Sequence, residues 1–266
     1  MAQWTSQRRG ARRCWINRSV FAGDTDLDLI DRLVDGGATL VATLKEDGRS
    51  LVQAYESGGR RWVVKRYRGP AWKTLAYHLV RRTPAWREWR YVRRLARRGV
   101  RVLALGAIVH EQGWGRWSQT IISPYIEASN LHHCIMQGRI GPDQRRPVAR
   151  AVGRQIGQMS AAGVVNRDHK SSNLLIDHAC LHHGDDPLII DPAAVKRGSS
   201  DGRVFRMLAV LALTAEQAGH ESMREKMACL RAALQADRSL APNQPRRLRY
   251  AAQKISRQIQ WLRRRG

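Results

Sequence analysis

The run Val165-Asn166-Arg167-Asp168-His169-Lys170-Ser171-Ser172-Asn173-Leu174-Leu175-Ile176-Asp177 holds an aspartate five positions before an asparagine, where an apolar stretch begins. Further along, Pro187-Leu188-Ile189-Ile190-Asp191 has the composition of a short buried strand that ends in another aspartate. Phosphoryl transfer from a nucleotide needs one carboxylate that faces the acceptor hydroxyl. It also needs an amide oxygen and a second carboxylate that hold magnesium on the phosphates. The two segments therefore predict that Asp168 faces the acceptor hydroxyl and that Asn173 and Asp191 hold magnesium.

A lysine upstream of this loop is the next candidate. The segment Arg61-Trp62-Val63-Val64-Lys65-Arg66-Tyr67 alternates like a half-buried strand, with Trp62 and Val64 on one face. Taken alone, Lys65 would be interpreted as a solvated strand lysine, because the chain contains 47 lysines and arginines. Its place ahead of the aspartates favours a functional interpretation.

A glutamate on the next helix completes the set. The segment 84–95 predicts a helix that Thr83 and Pro84 can open. Glu88 is its only acidic residue and borders an apolar stripe at helical spacing. Glu88 is a candidate ion-pair partner of Lys65, a pairing that the order of residues in protein kinases implies. The alternative is an exposed carboxylate that pairs with a neighbouring arginine.

The order Lys65, Glu88, Asp168 with Asn173, and Asp191 resembles that of the protein-kinase-like fold, with its H-R-D-x-x-x-x-N loop and D-F-G segment. Within that fold the chain resembles the lipopolysaccharide kinases of Gram-negative bacteria, which phosphorylate Kdo or heptose of the inner core. Trp86-Arg87-Glu88-Trp89-Arg90, together with residues 95–102, is similar to the family's R-E-x…L…G-V-x-x-P stretch.

The segment after Asp191 suggests the class of acceptor. No A-P-E-like element is found there, only Ala194-Val195-Lys196-Arg197 and a predicted helix. A protein kinase uses that element to hold its peptide substrate, so its absence favours a small or glycolipid acceptor. The resemblance then implies a sugar hydroxyl of an anionic glycolipid. The resemblance extends from Leu40 to Leu213.

The resemblance implies an α+β, two-lobed fold with ATP and Mg²⁺ as cofactors. The small lobe would be an antiparallel sheet plus one helix, and the large lobe would be mainly helical. We expect a basic N-terminal lead over residues 1–23, the small lobe over 24–127 and the large lobe over 128–266. ATP would lie between the lobes with its phosphates toward Lys65.

The resemblance also assigns roles at the site. Lys65 would neutralise the α- and β-phosphates, and Glu88 would orient it. Asp168 would accept the proton of the attacking hydroxyl, and Lys170 would neutralise charge on the transferred group. Two further residues are implied by position. Glu127 begins the hinge where backbone groups meet adenine, and Gly48 lies in the hairpin turn expected to cover the phosphates.

Three departures from the family pattern leave a pseudokinase open as an alternative. Asn166 replaces the histidine before Arg-Asp, where it could hydrogen-bond in place of the imidazole. Pro192 comes directly after Asp191 and fixes its own φ, which argues against a flipping Phe switch. The hairpin over the phosphates has a single glycine, Gly48.

The net charge of +25 and a pI near 11.4 favour anionic partners. An anionic glycolipid and an anionic membrane surface both fit this charge, whereas a compositional bias toward arginine would leave much of it merely solvated. Nucleic acid is a further possibility, but the sequence has no helix-turn-helix, zinc-finger or RNP signature. Basic residues are densest at three places, namely 8–13, 93–101 and 263–265.

The expected location is the cytoplasm, with peripheral contact on the inner face of the cell membrane. No stretch approaches the roughly 20 apolar residues of a membrane span, and the N-terminus lacks the apolar core of a secretory signal. The cysteines are scattered without C-x-x-C spacing, as is typical of reduced thiols. They are Cys14, Cys134, Cys180 and Cys229.

Two other enzymes of this fold are alternatives. A protein Ser/Thr kinase is disfavoured by the missing peptide-docking element. A small-molecule kinase of the aminoglycoside or choline type usually has an acidic pocket for a cationic substrate, which matches the charge poorly.

Periodicity predicts helices over 24–35, 147–162, 202–218, 220–235 and 245–265, strands over 38–44, 50–55, 61–67, 108–110 and 118–127, and a hairpin between Ile176 and Leu188.

Overall fold

The structure is a computed structural model of the 266-residue chain. The residues that it describes are 4–21, 26–48, 50–67, 83–113, 116–192, 195–198, 200–219, 222–241 and 246–264. The chain divides into two units, of which the first comprises Met1–Val92 and Leu103–Ile126, and the second comprises Arg93–Val102 and Glu127–Gly266. The first is built on an antiparallel sheet and the second is mainly helical, which confirms the predicted fold class.

Among the described residues of the first unit, seven strands form one sheet. They are β1 (Trp4–Arg9), β2 (Arg12–Asn17), β3 (Thr39–Glu46), β4 (Ser50–Ser57), β5 (Arg60–Tyr67), β6 (Ala107–Gly113) and β7 (Arg116–Pro124). Their spatial order is β1-β2-β6-β7-β5-β4-β3, and every neighbouring pair is antiparallel. Within the stretch 1–23, predicted to be a basic lead, β1 and β2 extend the sheet because Cys14 and Ile16 are buried in its core.

Strand β5 lies between β4 and β7, and its alternation matches the predicted pattern. Trp62 and Val64 are 3% and 0% exposed, and the Trp62 ring stacks on Phe21 with ring centroids 4.7 Å apart. Helix α1 (Asp26–Asp35) adds Ile30 and Leu33 to the same core cluster. The face of β5 that carries Val64 is therefore held by packing, and this fixes the direction in which Lys65 points.

Helix α2 (Pro84–Ala96) carries the predicted glutamate. Its first turn is capped by Thr83, whose Oγ1 accepts a hydrogen bond from the backbone N–H of Trp86 at 3.3 Å. The Trp86 ring makes edge contacts with Trp15 of β2 and with Trp89. The indole contacts to the N-terminal strands thus hold the first turns of α2 in place.

The second unit contains six α-helices among the described residues, with short strands between them. The helices are α3 (Leu131–Met136), α4 (Pro142–Ala161), α5 (His178–His183), α6 (Asp201–Gln217), α7 (Met223–Ala236) and α8 (Arg247–Arg263). The strands are β8 (Ser129–Asn130), β9 (Val164–Asn166), β10 (Leu174–Ile176), β11 (Leu188–Ile189) and β12 (Val195–Arg197). Strand β10 pairs with β8 and β11, and β9 pairs with β12. Within the described ranges, no helix has both the length and the apolar composition needed to cross a bilayer.

Several predicted boundaries differ from the structure, and two of the differences have a clear physical cause. Helix α4 begins at Pro142 rather than at Pro147, because the Gln144 side chain accepts a hydrogen bond from the Gly141 N–H and caps an earlier start. The segment between Ile176 and Leu188 was predicted as a hairpin, but it contains helix α5. Asp177 caps that helix by accepting from the Cys180 N–H at 3.0 Å.

Helices α4 and α7 pack with their backbones in close approach. A Cβ atom added at Gly153 or Gly157 of α4 would overlap backbone atoms of Cys229 or Ala233 on α7. Only glycine therefore allows this distance between the two helices.

We predict that Gly153→Ala destabilises the protein by about 1–3 kcal/mol, because the added methyl group forces the helices apart. Gly202→Ala in α6 is the matched control, since no atom lies within 4 Å of the added Cβ. That change should raise stability by about 0.5–1 kcal/mol, as alanine favours helix more than glycine does. Urea denaturation measures both, and equal stability of the two variants would contradict the close packing.

The core of the second unit includes one imidazole. His169 is 0% exposed, and neither of its ring nitrogens has a hydrogen-bond partner among the residues that the structure describes. Burial lowers the pKa of His169 from 6.5 to about 4. The ring is therefore neutral at physiological pH and behaves as a buried apolar group directly after Asp168.

We predict that His169 makes the protein sensitive to acid. The unfolded chain binds a proton at this ring below pH 6.5 but the folded chain only near pH 4, so stability is retained above 6.5 and lost as the pH falls toward 4. The loss at about pH 5 should be about 2 kcal/mol for this group. His169→Leu should flatten the free energy of unfolding between about pH 7.5 and about pH 5.

The matched control for this experiment is His133→Asn, since His133 is exposed. The free energy of unfolding of this variant should depend on pH as it does in the wild type. A His169→Leu variant that loses stability as steeply as the wild type would show that the buried ring does not cause the acid sensitivity.

Candidate active site

In the first unit, Lys65 and Glu88 form an ion pair. The Nζ atom of Lys65 donates to Oε2 of Glu88 at 2.8 Å, and the two side chains are 14% and 6% exposed. Lys65 lies on β5 opposite Val52 of β4 and Ile121 of β7. The ammonium group is thus fixed between a sheet and a helix. An ammonium group has three donors, so it can bind a carboxylate and a phosphate together.

Tyr67 is a second partner of this glutamate, and it was not predicted from the sequence. Its hydroxyl donates to the same Oε2 atom of Glu88, and the Lys65 ammonium lies 5.2 Å from the centre of the Tyr67 ring. The spacing contained the signal, because residues two apart on a strand share a face. Tyr67 restricts the Glu88 carboxylate and therefore the position of the ammonium.

In the second unit, the loop after β9 is held by side-chain bonds to its backbone. The Asn166 Oδ1 atom accepts from the Asp168 N–H at 3.2 Å, so this asparagine supports the loop as expected. The Thr214 hydroxyl of α6 accepts from the Ser171 N–H at 3.0 Å. Thr214 was not predicted, since nothing in the sequence links it to a loop 43 residues earlier.

Asp168 and Asn173 lie in direct contact. The Asn173 Nδ2 group donates to the backbone oxygen of Asp168 at 2.9 Å and to its Oδ2 atom at 3.1 Å. Lys170 Nζ lies 3.5 Å from the Asp168 Oδ1 atom. The Asp168 side chain is 46% exposed, so its carboxylate is oriented by two neighbours and still open to a substrate hydroxyl.

Asp191 is joined to the same loop through the backbone. The Ile190 N–H donates to the Asn173 carbonyl at 3.0 Å, which places Asp191 one residue beyond a direct link to Asn173. Asp191 has a φ of 51°, a left-handed conformation that is uncommon for residues other than glycine. Backbone strain of this kind concentrates at functional sites. Here the strained residue is Asp191, and its backbone conformation sets where its carboxylate lies.

The residue types fit a magnesium ion. Both Nδ2 hydrogens of Asn173 are used by Asp168, and its Oδ1 atom accepts no hydrogen bond from the described residues. A carboxylate and an amide oxygen are hard ligands that Mg²⁺ accepts, together with phosphates and water. The described residues contain no group of three or more His, Cys, Asp or Glu that could hold a metal alone, so phosphate oxygens would have to complete the shell.

Two predicted residues remain, Gly48 and Glu127. Gly48 lies in the turn between β3 and β4, where the Asp47 carboxylate accepts from the Ser50 N–H at 2.7 Å. Glu127 is exposed and lies two residues before β8. Ala193 and Ala194, which come after Asp191-Pro192, are outside the described residues.

Comparison with solved structures supports the fold. A structure described as WaaP in complex with acyl carrier protein matches with a TM-score of 0.56 and 21% sequence identity. The match covers 86% of this chain and 96% of that one. At this identity the likeness shows that the two proteins share a fold. No curated protein matches the chain significantly.

Comparison with protein families identifies the chain more closely. The family model described as the lipopolysaccharide kinase (Kdo/WaaP) family matches residues 40–191, which is more than half of the 266 residues. The matched range includes Lys65, Glu88, Asp168, Asn173 and Asp191. The protein is therefore a kinase that belongs to the lipopolysaccharide kinase (Kdo/WaaP) family.

Proposed function

We propose that this kinase transfers the γ-phosphate of ATP to a sugar hydroxyl of the lipopolysaccharide inner core or of a similar anionic glycolipid. The observation that supports this most directly is the contact of Asp168 with Asn173 at 2.9 and 3.1 Å. It arranges a proton acceptor and a metal ligand on one loop, in a chain of the lipopolysaccharide kinase family. The large positive charge suits an acceptor that carries phosphate or carboxylate groups.

The proposed roles follow from the family resemblance, and the contacts in each unit support several of them. Lys65 binds the α- and β-phosphates, and Glu88 with Tyr67 holds its ammonium in position. Asn173 and Asp191 hold Mg²⁺, and the chemistry that the bound ion supplies is neutralisation of phosphate charge. Gly48 and the backbone at Glu127 contact the nucleotide.

At the acceptor, Asp168 takes the proton of the hydroxyl as that oxygen attacks the γ-phosphorus in line. The Asn173 amide keeps one Asp168 oxygen turned inward, so the other oxygen faces the hydroxyl. Lys170 lies beside that second oxygen and neutralises charge on the transferred group. We place the enzyme in the cytoplasm, in peripheral contact with the inner face of the membrane that holds its acceptor.

We predict that Asp168→Ala abolishes phosphate transfer while Mg²⁺-dependent nucleotide binding persists, because Asp168 contacts the acceptor and not the metal. The assay is incubation with labelled ATP, magnesium and lipopolysaccharide, and then counting of label in the glycolipid fraction. Nucleotide binding is measured separately by calorimetry.

Two further variants make this test specific. Asp191→Ala should lose both transfer and Mg²⁺-dependent nucleotide binding, since it removes a metal ligand. Asp185→Ala removes an exposed carboxylate of the same unit and should behave as the wild type. Full activity of Asp168→Ala would refute the assignment of the base, and label in protein instead of glycolipid would favour a protein kinase.

A cavity in the second unit supports a further proposal, that the protein binds an acyl chain presented by a carrier protein. The cavity has a volume of about 420 Å³ and lies among α3, α4, α6, α7 and α8, a size typical of small-molecule sites. Its walls are mainly apolar, with Leu131, Val152, Leu211 and Ile255 among them. The structural neighbour described as a complex with acyl carrier protein suggests the source of such a chain.

We predict that Ala252→Trp, which fills this cavity from α8, weakens binding of an acylated carrier protein by at least about tenfold, given the apolar area displaced. Gln253→Trp is the control, because that neighbour is exposed and does not line the cavity. The carrier without its acyl chain should bind weakly to every variant. Equal binding of acylated carrier to both variants would exclude the cavity as the site.

A further inference from the structure

A groove on the second unit concentrates positive charge. Helix α4 contributes Arg146, Arg150 and Arg154, each four residues apart, and α7 contributes Arg224 and Arg231. We call this the arginine groove. Its volume is about 740 Å³, and small side chains of α7, including Ala228 and Ala232, line it between the guanidinium groups.

Few carboxylates neutralise these groups. Arg154 donates to Asp186 Oδ1 at 2.8 Å and to the Gly184 carbonyl at 2.6 Å. In the part of the chain that the structure describes, Arg146, Arg150, Arg224 and Arg231 make no hydrogen bond or ion pair, and all four are exposed. The groove therefore has a net positive charge that the unit itself does not offset.

Helix packing explains why the two arginine rows lie on the walls of one groove. Gly153 and Gly157 bring the α4 backbone against that of α7. Side chains that project from the two helices on the same side of this contact are therefore close together. Holding like charges together raises the free energy of the empty groove, and a bound anion lowers it. Guanidinium groups on two walls suit phosphate, which they can bind in bidentate fashion.

We propose that the arginine groove binds the phosphate groups of anionic phospholipids and so holds the kinase against the membrane. A concave site with charge on both walls can enclose a single headgroup phosphate. Met227 of α7 lines both this groove and the apolar cavity of the same unit, so polar and apolar binding surfaces meet at one residue, as an amphiphile requires. The inference rests on the proposed function only in that the acceptor is a membrane glycolipid.

Vesicle sedimentation without ATP tests this proposal. The test variant carries Arg146→Gln, Arg150→Gln, Arg224→Gln and Arg231→Gln, and the vesicles contain phosphatidylcholine with or without phosphatidylglycerol. Its binding to the phosphatidylglycerol vesicles should be at least about tenfold weaker than that of the wild type, and the salt dependence should be smaller.

A control variant removes the same charge elsewhere on the unit. It carries glutamine at Arg238, Arg249, Arg257 and Arg264, which are exposed and lie outside the groove. Its binding should stay within about threefold of the wild type if position, rather than total charge, decides binding. Equal losses in the two variants, or no loss in either, would overturn the proposal. Circular dichroism establishes that both variants are folded.

Two other partners are distinguished in the same experiment. If the groove variant binds phosphatidylglycerol vesicles normally but loses an acylated carrier protein, the groove is a protein-docking surface and the lipid proposal fails. If it loses binding only to vesicles that contain lipopolysaccharide, the occupant is the acceptor itself and the proposal also fails. Phosphate transfer to detergent-dispersed acceptor should be retained by the groove variant, so failure of the proposed function would be detected separately.

Discussion

Asn173 connects the parts of the catalytic loop. Its side-chain nitrogen binds both the backbone and the carboxylate of Asp168, while its backbone carbonyl accepts from the Ile190 N–H. One residue thus sets the position of Asp168, the proposed proton acceptor, and of the segment that leads to Asp191. The side-chain oxygen stays available because the nitrogen is the atom that binds Asp168. Replacing Asn173 would remove a proposed metal ligand and would also release the loop, so a single substitution cannot separate the two effects.

Much of this arrangement could be predicted because it depends on short-range patterns. The alternation of Trp62 and Val64 placed Lys65 on the opposite face of its strand, and helical spacing placed Glu88 beside an apolar stripe. The family resemblance then supplied the pairing of Lys65 with Glu88. Contacts between residues far apart in the sequence could not be predicted in this way. Thr214 supports the loop from a helix whose packing no local pattern defines, and helix α5 depends on a cap at Asp177 that also suits a turn.

The arginines of the chain are of two kinds. Some form ion pairs that hold the fold together, and others have no carboxylate partner among the described residues. Arg12 binds the carboxylates of Asp31, Asp35 and Glu111, and Arg101 makes a two-point contact with Asp177. These arginines connect elements distant in sequence, and a bias in composition does not explain their geometry. The arginine groove is different, since only Arg154 of its five arginines has a carboxylate partner, Asp186, among the described residues. Sequence alone could not make this distinction, because basic residues occur throughout the chain.

The left-handed backbone at Asp191 bears on how such an enzyme is controlled. Pro192 is buried, fixes its own φ and disfavours helical backbone at the residue before it. The backbone at Asp191 and Pro192 is therefore restricted, which argues against control of the enzyme by a flip of these two residues. Regulation would then have to come from outside the loop, through where the protein resides and how often it encounters its acceptor.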